Sequence, residues 1–185
     1  AEGVIDEGAW GEWSYSWLVG TIAVTLGLIG ASLGIAEAAR DHAIELVTTR
    51  RKAPSNRLLA ERSPIQHAVA ENEIDLAICR ALLVRTALAT DACFQAHTDP
   101  AEPLDALHEM MKDFQCTKQA VGRKAVEIVD RAMTLSGGSG YLNGSPLARL
   151  YRDVRAGLFM QPFSPNEAFE YIGKVTLGLD ATVEA

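Results

Sequence analysis

The chain contains 185 residues, of which 48% are hydrophobic and only 6% aromatic. This composition is too apolar for a disordered chain and favours tightly packed helices in one domain over a β-sandwich. The net charge is −7 and no long run of Lys or Arg is present, which argues against nucleic-acid binding. The three cysteines have no CxxC spacing, which favours buried thiols in a reducing cytoplasm over disulfides or a metal site: Cys79, Cys93 and Cys116.

The first segment, residues 1–12, is rich in Gly and acidic residues and is interpreted as a linker. It lacks a positively charged start followed by a short apolar region, so we expect no signal peptide. Because the sequence begins with Ala1 rather than Met, we expect a fragment or a trimmed product.

A first helix is predicted over residues 16–49. Its stretch 17–36 carries no charge and is long enough to cross a membrane, and Gly30 and Gly34 have the spacing that lets two helices approach closely. However, the stretch contains several glycines and hydroxyl residues, and its N-terminal flank lacks Lys and Arg. We therefore favour a core or oligomer-interface helix, with a membrane span as the alternative.

Residues 50–62 contain a Pro-Ser-Asn run and are interpreted as a loop. A second helix then begins at Ser63 and runs to about Ala96. Ser63 is expected to cap it, Pro64 suits the first turn, and Gln66 can reach back to the N–H of the cap. Apolar residues recur along it at helical spacing: Ile65, Val69, Ile74, Ile78, Leu82 and Leu88.

A third helix is predicted over residues 104–135 and ends at a Gly-Gly pair. Two short helices begin at Ser145 and, through a capping box, at Ser164. These elements predict an all-α fold: an antiparallel four-helix up-and-down bundle over residues 13–180, with short C-terminal helices and a tail over 181–185. The inner face of the third helix is expected to consist of Leu107, Met111, Phe114, Val121, Ile128 and Met133.

A helix bundle can house a di-metal site, which needs Glu-x-x-His on two helices. Among the four histidines, only His108 has an acidic residue three positions earlier, Asp105, and this pair has no counterpart. No Gly-x-Ser-x-Gly elbow of a hydrolase is present either. We therefore predict no metal site.

The segment from Leu135 to Pro146 is rich in glycine and joins a helix end to a helix start. Glycines in such a turn leave backbone N–H groups uncovered, so that a phosphate or a sugar can approach. The segment matches neither a Walker A motif nor a Rossmann fingerprint, and a simple helix C-cap followed by a loop is the alternative.

The glycine segment and the helix after it carry a family resemblance. Residues 135–141 (LSGGSGY) and 146–155 (PLARLYRDVR) resemble the signature of the acyl-CoA dehydrogenase family, a GGxGY turn before a helix with R-x-Y-R-D. Residues 33–40 resemble the first helix of that family's C-terminal domain, and residues 63–66 resemble its second helix. The loop at 50–62 lacks the usual Phe-Gly and is more similar to the second subtype, which includes flavin-dependent monooxygenases.

The resemblance implies the C-terminal domain of a larger cytoplasmic FAD oxidoreductase, a homo-oligomer or a complex with a related subunit. Gly137, Gly138, Ser139 and Gly140 would meet the adenosine-pyrophosphate part of a neighbouring subunit's FAD. An arginine of the Arg50–Arg51 pair, assigned as Arg51, would touch the same group. A buried pair of Arg152 and Asp153 is expected to hold the turn. We expect the fragment alone to be inactive.

The sequence does not reveal a counterpart of the family's catalytic base. One known position for a carboxylate falls near Gln161 and a second near Val24, and neither residue can take a proton at neutral pH. The nearest carboxylate, Glu167, belongs to the last capping box. We expect oxidation of CH–CH bonds of an acyl-CoA or another small molecule. A monooxygenase domain, or a non-catalytic interaction or membrane-anchored module, is the alternative.

Overall fold

The computed structural model describes residues 12–160 and 162–183. Most of the predicted linker, residue Gln161 and the last two residues of the tail lie outside these ranges. Five α-helices and a small antiparallel hairpin account for the main ordered elements of the described chain. They are α1 (Tyr15–Thr49), β1 (Arg51–Lys52), β2 (Arg57–Leu58), α2 (Ser63–Ala96), α3 (Asp105–Ser136), α4 (Pro146–Ala156) and α5 (Pro165–Thr176).

The predicted all-α fold is confirmed. The long helices α1, α2 and α3 run alternately up and down, with α1 and α3 in extensive contact. The two short helices pack on this layer, α4 against α1 and α3, and α5 against α3. Five predicted residues of the inner face of α3 are fully or almost fully buried: Leu107, Met111, Phe114, Val121 and Ile128.

Short polar side chains set three of the helix starts. Ser14 Oγ accepts from the N–H of Trp17 at α1, and Ser145 Oγ accepts from Leu147 at α4. At α5, Ser164 and Glu167 form the predicted capping box.

The predicted cap at α2 is wrong. Arg62 occupies the cap position, because a 3₁₀ turn over Leu59–Glu61 leads directly into the helix. Gln66 Nε2 donates to the carbonyl of Ala60 at 3.0 Å, so the glutamine holds this turn instead of the cap. The predicted loop at 50–62 also contains the hairpin, in which Arg51 pairs with Leu58.

A buried polar cluster joins α2 to α3. Arg131 donates to Asn72 Oδ1 at 2.8 Å and to Asp75 Oδ2 at 2.6 Å. Lys124 Nζ lies 3.2 Å from the other oxygen of Asp75. Burial acts to raise the pKa of Asp75, but hydrogen bonds from Arg131 and Lys124 outweigh it and hold that pKa below its usual value. The cluster thus fixes the register of two helices with an ionised carboxylate.

Half of the predicted apolar stripe on α2 faces outward. Ile74, Ile78 and Leu88 are more than half exposed, and Val84 lies on the same side. Only Ile65, Val69 and Leu82 of the predicted stripe pack partly against the core. The helix is therefore apolar on two sides, and one of them has no partner within the described part of this chain.

The first helix also has an uncharged outer side. Val24 is 77% exposed, and a Cβ added at Gly30 or Gly34 would meet no atom within 4 Å. By length and composition this helix could cross a membrane, although the core helix of a bundle meets the same criterion. Its other side is buried against α3, as expected of a core helix.

Two predictions of burial are wrong. Cys79 is buried, but Cys116 is exposed on α3 and Cys93 is only partly covered. Arg152 and Asp153 are both exposed, and Asp153 pairs with Arg149 one helical turn away at 3.8 Å. These positions lie on α4 and on the outer sides of α2 and α3, which are open to solvent.

Candidate functional site

The glycine turn closes the end of α3. Gly137 ends the helix with a φ of +63°, a left-handed conformation that favours glycine. A short 3₁₀ turn follows, in which the N–H of Gly140 donates to the carbonyl of Gly137 at 3.0 Å. Gly140 is buried, and a Cβ at this position would lie 1.8 Å from Ser136 Oγ. Gly140 is thus required for the shape of the turn.

The other two glycines form the open surface of the turn. Gly137 and Gly138 are exposed, and a Cβ at either would meet no atom within 4 Å. Ser139 is half-buried beside them. This backbone is therefore open to a phosphate, whereas Gly140 shapes the turn from the inside.

An arginine from the end of α1 reaches the turn. Arg50 Nη1 donates to Ser139 Oγ at 3.0 Å and to the carbonyl of Ser136 at 3.4 Å. Arg51, the predicted residue, donates instead to the carbonyl of Asn56 at 2.8 Å within the hairpin. Sequence reasoning therefore selected the neighbour of the residue that lies at the turn. Contacts of Arg51 and of residues 137–140 with a cofactor stay predictions.

A small pocket of about 10 Å³, room for roughly one water molecule, lies between α1, α3 and the connection from α4 to α5. It can therefore form only one wall of a larger site. Val24, one predicted base position, is on α1 beside this pocket, and Met160 precedes the other position, which lies outside the described residues. Thr25, next to Val24 in the sequence, and Met160 line the same pocket. No carboxylate of the described residues lines the pocket; its lining residues are Thr25, Leu28, Ile29, Ser32, Lys118, Gly122, Gly157 and Met160.

Lys118 is the charged group of this pocket. Its side chain is buried, and Nζ donates to the carbonyls of Met160 and of Phe163, the latter at 2.6 Å. Burial lowers the pKa of Lys118 to about 8, and the negative charge of Glu167 opposes this change. Sequence reasoning missed Lys118. The signal was a lysine within the buried stripe of α3, where a lone cation is unusual.

The other candidate groups have structural partners. Glu167 Oε2 accepts from the N–H of Ser164 at 2.6 Å, as its predicted capping role requires. His108 Nδ1 lies 2.7 Å from the hydroxyl of Tyr171, in a cluster with the Trp13 ring. Among the described residues, no group of three or more His, Cys, Asp or Glu side chains is arranged to hold a metal ion.

The fold and the geometry of the site define the class of protein. It is an all-α bundle with a glycine turn and an arginine at one end and a pocket on its side. A family model described as "Acyl-CoA dehydrogenase, C-terminal domain" matches residues 26–163. The chain belongs to the acyl-CoA dehydrogenase family and corresponds to its C-terminal domain. The family uses FAD, and solved flavoproteins of this fold hold FMN or FADH2.

Similar proteins include two bacterial enzymes that are named as nitrososynthases of amino sugars. The chain is 37% identical over 162 residues to the amino sugar nitrososynthase DnmZ of Streptomyces peucetius, covering 87% of this chain and 37% of DnmZ. It is 34% identical over 181 residues to the L-evernosamine nitrososynthase of a Micromonospora species, covering 97% of this chain and 41% of that enzyme.

A solved structure has the same fold with a similar sequence. KijD3, in complex with FMN and a dTDP-linked amino-keto sugar, superposes with a TM-score of 0.79 at 33% identity. The match covers 93% of this chain and 40% of KijD3. The chain thus spans about two fifths of the length of the relatives it matches.

Proposed function

We propose that this chain is the C-terminal domain of a flavin-dependent oxidoreductase that oxidises the amine nitrogen of a nucleotide-linked sugar. Two relatives that cover most of the chain at 34–37% identity are amino sugar nitrososynthases. The similarity to KijD3, which was solved with a dTDP-linked amino sugar, supports the same substrate class.

The pocket beside Val24 carries this proposal. Removal of an α-proton from an acyl thioester needs a base, and a carboxylate with a raised pKa is suited to it. The described lining of this pocket holds no carboxylate, and the two predicted base positions hold Val24 and Gln161. Oxidation of an amine instead uses the lone pair of the substrate nitrogen. The pocket therefore fits amine oxidation better than dehydrogenation of an acyl-CoA, the reaction expected from the sequence.

A reduced flavin would supply two electrons for each O2, so that one oxygen atom enters the amine to give a hydroxylamine and the other leaves as water. A second round, followed by loss of water, would give the nitroso group. The residues of the glycine turn fit the phosphate part of such a cofactor. The backbone at Gly137 and Gly138 is open, and Arg50 adds a positive charge beside it. An arginine beside an exposed glycine backbone favours a diphosphate. We assign FAD to this turn, held together with a second subunit.

Oligomerisation is part of the proposal. The outer side of α2 exposes Ile74, Ile78, Val84 and Leu88, an apolar surface that a second subunit can cover. A homo-oligomer would also bring a neighbouring subunit's cofactor to the glycine turn. A cytoplasmic location is part of the same proposal.

The test uses the full-length protein with reduced flavin, O2 and a dTDP-linked 3-amino sugar. The expected product has the mass of a hydroxylamine or nitroso sugar. The matched sugar with a hydroxyl in place of the amine should give no oxidised product. An acyl-CoA with an artificial electron acceptor tests the dehydrogenase. Turnover of the acyl-CoA and not of the amino sugar would overturn the proposal, and so would a protein that takes up no flavin or stays with membranes.

A further inference from the structure

The connection between α4 and α5 is held at three points. Lys118 donates to two of its carbonyls, those of Met160 and Phe163. At its start, Gly157 packs so closely on α1 that an added Cβ would lie 2.4 Å from Ser32 Oγ. An added Cβ at Gly122 of α3 would lie 2.8 Å from the side chain of Leu158. Two glycines and one lysine therefore allow this connection to dock against the bundle.

A lysine at this place carries a free-energy penalty. Lys118 is only 6% exposed, and burying a cation costs free energy unless it is paired. No carboxylate in the described part of the chain lies within ion-pair distance of its nitrogen, and its two hydrogen bonds go to backbone carbonyls of the connection. A neutral packing residue would avoid this penalty but leave the two carbonyls without a donor. The cation thus serves the connection rather than an ion pair.

One of the two residues whose carbonyls accept from Lys118 lines the pocket. Met160, whose carbonyl accepts from Lys118, lines the pocket together with Thr25 and Leu28 of α1. Phe159 is 61% exposed and Met160 43%, so the connection presents apolar side chains outward while its backbone is fixed from inside. A shift of this backbone would change the shape of the pocket directly.

We propose that Lys118 is a positioning residue, whose ammonium group fixes the α4–α5 connection and so sets the shape of the wall of the substrate site formed by Thr25, Leu28 and Met160. The role of this pocket in substrate binding rests on the proposed function. The anchoring itself rests only on the contacts of Lys118, Gly157 and Gly122.

Hydrogen exchange of the full-length protein tests the anchoring without any substrate. In Lys118→Met, the amides of the connection should exchange about tenfold faster or more, because a charge-assisted hydrogen bond to its backbone is lost. The exchange of α2 should stay unchanged. The matched control is Lys112→Met on the same helix, whose lysine pairs with Glu109 and not with the connection. Unchanged exchange of the connection in Lys118→Met would overturn the proposal.

A second variant keeps the test decisive where Lys118→Met does not fold. Gly157→Ala pushes the connection away from Ser32 without removing the charge, and should speed exchange in the same amides. Adding Ser32→Ala removes the 2.4 Å contact and leaves the nearest side-chain atom of that residue at 3.6 Å, so the double variant should return toward the wild type. A single variant that exchanges like the wild type contradicts the docking of this connection.

Kinetics separates positioning from a purely structural role. With the dTDP-linked 3-amino sugar as the probe, Lys118→Met should keep its flavin content and raise KM about tenfold or more. A lysine needed only for folding would lower the active fraction, and so kcat, at an unchanged KM, which would overturn the proposal. If the wild type does not oxidise the amino sugar, the proposed function fails, and the exchange measurement still decides the anchoring.

Discussion

Arg50 Nη1 lies 3.0 Å from Ser139 Oγ, although the two residues are 89 positions apart in the chain. Arg50 is the first residue after α1, and Ser139 belongs to the turn after α3. Ser139 Oγ in turn donates to the carbonyl of Ser136 at 3.0 Å. The ends of two parallel helices are therefore joined by a cation beside an open glycine backbone, an arrangement that suits a diphosphate.

The two adjacent arginines should differ in their effect on flavin binding. Arg50→Gln should weaken flavin binding roughly tenfold to a hundredfold, the usual value of a hydrogen bond to a charged group. Arg51→Gln should change it less, because the Arg51 guanidinium is bound to the hairpin carbonyl of Asn56. Flavin titration followed by fluorescence measures both. The opposite order of effects would return the role to Arg51, as the sequence alone suggested.

Substitution of Gly140 should affect stability, whereas substitution of Gly138 should affect flavin binding. Gly140→Ala should disrupt the turn and lower the melting temperature, because its Cβ would overlap Ser136 Oγ. Gly138→Ala should fold like the wild type, since its Cβ meets no atom, yet weaken flavin binding by blocking the approach of a phosphate. Thermal melts and flavin titration on both variants check this. Normal flavin affinity in Gly138→Ala would place the cofactor elsewhere.

The Asp75–Arg131 pair should contribute much of the α2–α3 stability. Asp75→Asn should lower the free energy of unfolding by about 1–3 kcal/mol, because it leaves Arg131 and Lys124 with only the exposed carboxylates of Glu127 and Glu71. The folded-state pKa of Asp75 is lowered, so this contribution is present above its usual value of 3.8 and is lost as pH falls through the folded pKa.

Urea unfolding at neutral pH and near pH 3 measures both effects of that substitution. The control is Asp113→Asn, which removes the exposed pair with Arg85 and should cost less than about 1 kcal/mol. Equal losses in the two variants would contradict a special role for the buried cluster.

Lys118 should give the protein an alkaline pH dependence of stability. Its pKa is about 8 in the folded state against a usual 10.5. Between these values the unfolded chain binds more protons, so the free energy of unfolding should rise with pH, by up to about 3 kcal/mol in total. Below pH 8 the buried ammonium is charged and keeps its cost of burial, which the negative charge of Glu167 reduces only in part.

The measurement compares urea midpoints of the wild type and Lys118→Met from pH 7 to 10. Cys79, whose pKa burial raises to about 11, and other groups titrate in both proteins, so only the difference between the curves reports Lys118. Lys112→Met should follow the wild type. Parallel curves for all three proteins would show that the Lys118 ammonium is not penalised by burial.

The outer side of α2 should hold subunits together. Replacing Ile78 and Leu88 with Asp puts two charges on a surface where both side chains are more than half exposed in the single chain. Sedimentation velocity should show dissociation with the helix content retained. Leu179→Asp, a similarly exposed leucine near the C-terminus, is the control and should keep the assembly. A monomeric wild type would contradict the proposed oligomer.

Local chemistry in the sequence determined the helices and most of their ends. Ser145-Pro146 and the capping box at Ser164 predict helix starts because the cap uses side chains only a few residues away. The glycine turn was recognisable for the same reason. The predicted cap of α2, Ser63, is one residue after the observed cap, because the 3₁₀ turn before the helix has no such sequence signal.

Contacts between distant segments were decided by the tertiary structure. The sequence does not distinguish Arg50 from Arg51, since only the packing of α1 beside α3 brings one of them to Ser139. Periodicity along α2 marked Ile74 and Ile78 as one apolar stripe, but which side faces the core depends on where α3 lies. The hydrogen bond from Lys118 to the connection before α5 forms only because that connection folds back onto α3. Capping and helical periodicity act over a few residues, whereas burial and charge pairing depend on neighbours that only the complete bundle supplies.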